Sequence, residues 1–132
     1  MIQKVANVAV VVKDQAKALD FYTQVLGFEK RMDIPAPSGG ARWVTVAPKG
    51  QDIEISLFLA GSYPDTQNQW RAGSSPMWTL QTDDCRAEFV RLKARGVRFD
   101  QEEPAENPWS ITAVFSDPDG NKFSLAEFRR KS

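Results

Sequence analysis

The chain has 132 residues, 42% hydrophobic and 26% charged, which suits one domain of ordinary size with a real core. Its 17 basic residues balance its 17 acidic ones, so charge gives no argument for nucleic acid or a membrane surface, and no apolar run nears the roughly 20 residues of a membrane span. A single cysteine excludes an internal disulfide framework, and the lack of histidine removes the usual base for a nucleophile.

The N-terminus, MIQKVANVAVVV, holds one lysine and no small-residue cleavage site, so it does not read as a signal peptide and the chain reads as cytoplasmic. Residues 4–12 are β-branched and apolar, and predict a strand. Asp14 then caps a helix over 15–26, with Ala18, Leu19, Tyr22, Val25 and Leu26 on one face and Gly27 as its stop. Strands follow over 28–34, 41–47 and 53–59, separated by the Pro- and Gly-rich loop 35–40 and the turn Pro48-Lys49-Gly50-Gln51. Residues 60–75 are polar and turn-rich and read as a linker. A strand over 76–82 leads to Asp84, the cap of a second helix over 85–95 that ends at Gly96. Its buried face is expected to be Phe89, Val90, Leu92 and Ala87. Short strands over 97–99 and 111–116 flank a Pro- and Glu-rich loop over 101–108. The turn Asp117-Pro118-Asp119-Gly120-Asn121 leads into a last strand over 122–128, and 129–132 is a basic tail.

This order is strand–helix–strand–strand–strand, twice. A shift of 70 positions superimposes Lys13-Asp14 on Asp83-Asp84, Val44 on Val114, and Pro48-Lys49-Gly50 on Pro118-Asp119-Gly120. The expected fold is α+β, a single domain over 1–132. Two tandem βαβββ modules, about 4–59 and 76–128, form a curved mixed sheet around a central trough. One helix per module covers only one sheet face, so the other is the natural place for a ligand.

The run VAVVVKDQAKALDFYTQVLGFE resembles the opening of glyoxalase, bleomycin-resistance and ring-cleaving dioxygenase domains, the vicinal oxygen chelate superfamily. VFSDPDGNKFSLAE resembles their closing segment, and RLKARGV at 91–97 resembles the end of their second helix. Metal-dependent members hold a divalent cation in the trough with His, Glu or Gln from the first and last strands of each half. Carried over by position, that ligand set falls on Asn7, on Leu57 or Phe58, on Met77 and on Glu127. Only Glu127 matches, and an amide, a thioether and an apolar side chain do not suit a hard divalent cation. Glu54 is expected on the opposite face. No metal and no cofactor are therefore expected.

Strand alternation is expected to place Asn7, Met77, Thr79, Gln81 and Glu127 in the trough, with Phe123 and Leu125 brought in by Glu127. Trp43 and Trp109 either pack or contact ligand, and Trp70 has the same two readings. Arg42 faces solvent or an anionic ligand. Glu127 is a trough-facing polar group, a pairing partner or a base. Cys85, after two aspartates at a helix start, reads as structural rather than nucleophilic.

The resemblance implies a metal-free protein that binds a small planar or hydrophobic ligand, as the drug-sequestering members do. The alternatives are a lyase- or dioxygenase-type enzyme using Glu127 as base or an atypical metal site, and a protein-interaction role for the free sheet face. Members of this size are usually homodimers, and one is expected here.

Overall fold

The computed structural model describes residues 1–36, 39–62 and 71–129. The chain divides into two compact units, Met1–Ser75 and Pro76–Ser132. No helix among the described residues is long and apolar enough to cross a membrane.

The first unit contains β1 (Asn7–Val12), α1 (Gln15–Asp20), β2 (Glu29–Ile34), β3 (Trp43–Ala47) and β4 (Glu54–Leu59). Its sheet runs in the order β1-β4-β3-β2, with β1 parallel to β4 and the other pairs antiparallel. Valines 10, 12, 44 and 46 lie with Leu57 on one apolar face, each 1% exposed or less. The other face is mixed: it carries Asn7, Ala9 and Val11 from β1, Glu54, Ser56 and Phe58 from β4, and Trp43 and Thr45 from β3.

The helix expected over 15–26 is shorter as an α-helix. Asp14 caps it, its Oδ1 accepting the Lys17 N–H at 3.0 Å. At Phe21 the spiral widens into a π-helical turn, Phe21–Val25, in which the Leu26 N–H reaches the Phe21 carbonyl at 3.1 Å. The Thr23 hydroxyl donates to the Leu19 carbonyl at 2.7 Å, a side-chain bond that competes with the regular ladder. The buried stripe is Ala18, Tyr22 and Leu26, while Leu19 and Val25 are only partly covered. Gln15, 6% exposed, has both ends of its amide in use. Its Nε2 donates to the carbonyls of Arg42 (2.6 Å) and Leu57 (2.8 Å), and its Oε1 accepts the Arg42 N–H (3.0 Å). This one side chain ties the start of α1 to β3 and β4.

The second unit contains β5 (Trp78–Gln81), α2 (Cys85–Ala94), β6 (Arg98–Phe99), β7 (Ala105–Glu106), β8 (Ser110–Ser116) and β9 (Lys122–Phe128). Its order is β5-β9-β8-β6, with β5 parallel to β9 and β7 added to β8. In each unit the first strand lies parallel to the last, so the βαβββ repeat read from the residues is a repeat of topology. The two-residue β7 falls inside the segment expected to be loop, because two residues are too few to show a period. Asp84 caps α2 through the Ala87 N–H at 3.0 Å.

The buried residues of α2 are Cys85, Phe89 and Leu92. Val90, expected in the core, is 66% exposed, and Ala87 is exposed too. Position 90 lies one step, about 100°, from Phe89, beyond the stripe set by residues 85, 89 and 92. From Phe89 a chain of rings crosses the sheet. Its centroids step 4.4 Å to Phe99, 5.6 Å to Phe115 and 5.5 Å to Phe123.

The turn before β9 is held by Asp117, 4% exposed. Its Oδ1 accepts the N–H groups of Asp119 (2.9 Å) and Asn121 (2.8 Å), and its Oδ2 accepts from the Asn121 amide (2.9 Å). Gly120 has φ +91, and Gly50, its counterpart in the first unit, has φ +82. That conformation strains any residue with a Cβ, so glycine recurs at the 70-residue offset.

Candidate functional site

In the first unit, the ends of β3 and β4 frame a half-open pocket of about 210 Å³. Arg42 and Trp43 form one wall, following Ala41. Leu57, Phe58 and Leu59 form the other, and Ser62 completes the lining. Trp43, one of the expected ligand contacts, is thus on a pocket wall and 37% exposed. Its indole N–H is directed to the Met32 sulfur at 3.4 Å.

Arg42 faces neither bare solvent nor a free site. Its Nε donates to Asp33 Oδ1 at 3.0 Å and its Nη2 to Asp33 Oδ2 at 2.5 Å. This two-pronged bond pulls the Asp33 carboxyl below the usual carboxylate range and raises Arg42 further. Asp33 was not among the expected site residues. Ile34 pairs with Trp43 across the hairpin, and that register brings Asp33 beside Arg42.

Asn7 opens β1 and pairs in register with Glu54. Glu54 therefore shares Asn7's face, contrary to expectation. The expectation counts parity from Leu57, but Leu57 belongs to the apolar core face while Phe58 lies on Asn7's side. Glu54 Oε2 lies 3.8 Å from Arg31 Nη1. On the same face, Thr45 is fully buried and its hydroxyl has no hydrogen-bond partner.

In the second unit Met77 is 55% exposed just before β5, and Thr79 is exposed on β5 opposite Ser124. Trp109 is 66% exposed, its carbonyl accepting the Arg129 N–H at 2.7 Å. Leu125 and Glu127 are placed differently from expectation. Phe123 belongs to the ring chain that starts on α2, and Leu125 and Glu127 share its parity on β9. Leu125 is 4% exposed, and its carbonyl accepts the Cys85 thiol at 3.7 Å. Glu127 Oε1 accepts the Cys85 N–H at 2.9 Å. Both residues face α2, and the face of β9 away from the helix carries Ser124 and Ala126. Cys85 is fully buried. Burial pushes its thiol up, the Glu127 carboxylate adds to that, Arg86 partly opposes it, and Asp84 raises it again. Trp70 lies outside the described residues.

The four positions carried over from the metal-dependent members do not supply a ligand set for a divalent metal. Among the described residues no three His, Cys, Asp or Glu side chains form a group that could hold one. Asn7 offers an amide, Met77 a thioether and Phe58 only carbon. Glu127, the one matching carboxylate, is bonded to the helix start.

The comparisons with known proteins agree with this architecture. The family model described as the Glyoxalase/Bleomycin resistance protein/Dioxygenase superfamily matches residues 4–125. The crystal structure of TnmS3, an antibiotic binding protein from Streptomyces sp. CB03234, is similar at 41% identity, with 94% of each chain covered and a TM-score of 0.79. A member of the same superfamily from Sphaerobacter thermophilus DSM 20745 is 37% identical, with 96% of this chain and 98% of that one covered and a TM-score of 0.80. The YetH protein of Bacillus subtilis (strain 168) is 32% identical over 96% of this chain and its own full length.

Proposed function

The chain belongs to the glyoxalase/bleomycin resistance protein/dioxygenase superfamily, and on that footing we propose that it is a metal-free protein that binds a small planar or hydrophobic organic ligand, in the manner of resistance proteins that sequester a drug. The observation that carries this reading is the match, at 41% identity over 94% of the chain, to a protein described as antibiotic-binding.

The physical case points the same way. A superfamily member that catalyses through a metal needs hard or nitrogen donors at close range. Here those positions hold Asn7, Leu57 or Phe58, Met77 and Glu127, of which only Glu127 is a ligand type for such a metal. What the first unit offers instead is a half-open pocket of mixed lining, with Trp43, Phe58 and Leu59 beside Arg42 and Ser62. Such a site recognises shape and ring surface, with a few polar groups to orient the ligand. The enzymatic alternative, with Glu127 as base, would act from a carboxylate on the α2 side of β9, where its Oε1 accepts the Cys85 N–H.

The test is calorimetric titration of the purified protein against a panel of planar aromatic antibiotics and metabolites, with tryptophan fluorescence as a second readout. Saturable one-site binding by at least one compound is expected. Absence of any saturable binder across a broad panel, or steady turnover of one of its members, overturns the proposal.

A further inference from the structure

We infer that Thr45, with Ser56 beside it, determines specificity on the mixed face of the first sheet, and that its hydroxyl reads an oxygen substituent, a hydroxyl or a carbonyl, on an aromatic ring. The inference rests on the proposed binding function and adds the group that the ligand carries and the residues that recognise it.

The hydroxyls come first. Thr45 is fully buried and its hydroxyl has no hydrogen-bond partner. Folded proteins pair nearly all such groups, because stripping a hydroxyl of water without replacing the bond is costly. Ser56 stands opposite Thr45 across the β3–β4 ladder and is 2% exposed. Its hydroxyl reaches the Val8 carbonyl only at 3.5 Å, against roughly 2.7 Å for a good O–H···O bond. Residues opposite each other in a ladder hold their Cβ atoms about 5 Å apart. Two hydroxyls at that spacing can both bond one oxygen atom, and each can donate or accept. That suits a carbonyl or hydroxyl oxygen and does not suit a methyl group.

The ring comes second. On the same face, Trp43 lies two residues from Thr45 on β3, and Phe58 lies two residues from Ser56 on β4. Both line the half-open pocket. Two residues along a strand span roughly 7 Å, about the length of two fused rings. A fused-ring system over Trp43 and Phe58 thus reaches the hydroxyl pair with a substituent at its end. Access comes third. Met32 stands opposite Thr45 on β2, 40% exposed, and its sulfur accepts the Trp43 N–H at 3.4 Å. An unbranched thioether repacks at low cost, so its displacement opens the way from the Trp43 ring to Thr45.

The probes are 2-naphthol and 2-methylnaphthalene, which share one shape and differ in the oxygen. The readout is the ratio of their dissociation constants, compared between variants so that the hydrophobicity of each probe cancels. Thr45→Val keeps the side-chain shape and is expected to weaken 2-naphthol about ten-fold relative to 2-methylnaphthalene. Ser56→Ala is expected to shift the ratio the same way by about three-fold, and Thr45→Ser to keep it within about two-fold of wild type. A purely structural role would move both probes together, and thermal melts check that each variant is folded. A ratio within about two-fold of wild type in folded Thr45→Val overturns the inference. Should Thr45→Val not fold, Ser56→Ala decides by the same criterion. Failure of both naphthalenes while a larger planar antibiotic binds overturns the inference and leaves the proposed function standing. Failure of every compound overturns both.

Discussion

At the scale of single residues, Glu127 shows how the same side chain changes meaning with its partner. Sequence places a carboxylate after the DPDGN turn, and the resemblance makes it a ligand or base. In the fold its Oε1 accepts the Cys85 N–H at 2.9 Å, at the positive end of α2. Glu127→Gln keeps an acceptor there and loses only the charge, so thermal or urea unfolding should show a loss of roughly 0.5–1 kcal/mol. Glu127→Ala leaves the N–H without that acceptor and should cost about 1–2 kcal/mol. Ligand affinity should hardly move in either variant. A folded Glu127→Gln protein that no longer binds ligand would restore the functional reading.

Cys85 beside it is fully buried, and burial with its acidic neighbours keeps the thiol protonated. Its folded value is raised above the unfolded one, near 8.5. Whatever stability it contributes is present below that pH and is lost as pH climbs through the folded value. A thiol reagent at pH 8 should label unfolded protein promptly and native protein far more slowly, as mass spectrometry would record. Asp33 has the opposite sign. Its lowered value gives stability that is present above about pH 3.9 and is lost as pH falls through the folded value. The pair is partly exposed, so the acid loss should stay under ~1 kcal/mol. Thr45 makes a third case: its buried hydroxyl lacks a partner. Thr45→Val keeps the shape and removes that desolvated group, so stability should rise by about 1 kcal/mol. A clear loss instead would mean that the hydroxyl holds a bound water or ligand atom.

At the scale of elements, most of the pattern is legible and the faces are harder. Asp14 and Asp84 announce both helices, and each cap bond is present at 3.0 Å. The glycine that recurs 70 residues apart marks equivalent turns before β4 and β9. The π-turn is not legible, because it depends on Phe21–Leu26 backbone geometry rather than on a change of period. The face of β9 is missed for a different reason. Both faces of that strand hold small or apolar residues, and alternation alone does not say which one meets α2. Anchoring the strand on Glu127 gives one phase, whereas the ring chain from Phe89 to Phe123 fixes the opposite one. The pocket escapes sequence reading because it needs the ends of β3 and β4 side by side, and the Asp33–Arg42 pair escapes it because it needs the β2–β3 register. α2 also carries a test of its buried stripe: Leu92→Ala should cost about 2–5 kcal/mol, and Val90→Ala within about 0.5.

At the scale of the whole molecule, the repeat explains why family membership survives when the family's metal-ligand positions hold other residues. Each unit builds its topology from its own strand pairs, caps and turns, and none of these needs a metal ligand. Positions such as Asn7 and Met77 can therefore change without cost to the sheet. What they change is the chemistry available on it. Binding is then the function that the remaining groups support best. The expected homodimer belongs to the same proposal, and light scattering should give a mass near twice the 14.8 kDa chain. The most direct measurement titrates one planar aromatic antibiotic into the protein before and after exhaustive chelation, with elemental analysis of both samples. The account predicts no stoichiometric divalent metal in either sample and one dissociation constant common to both. A stoichiometric metal whose removal abolishes binding, or creates a loss of turnover, would contradict it.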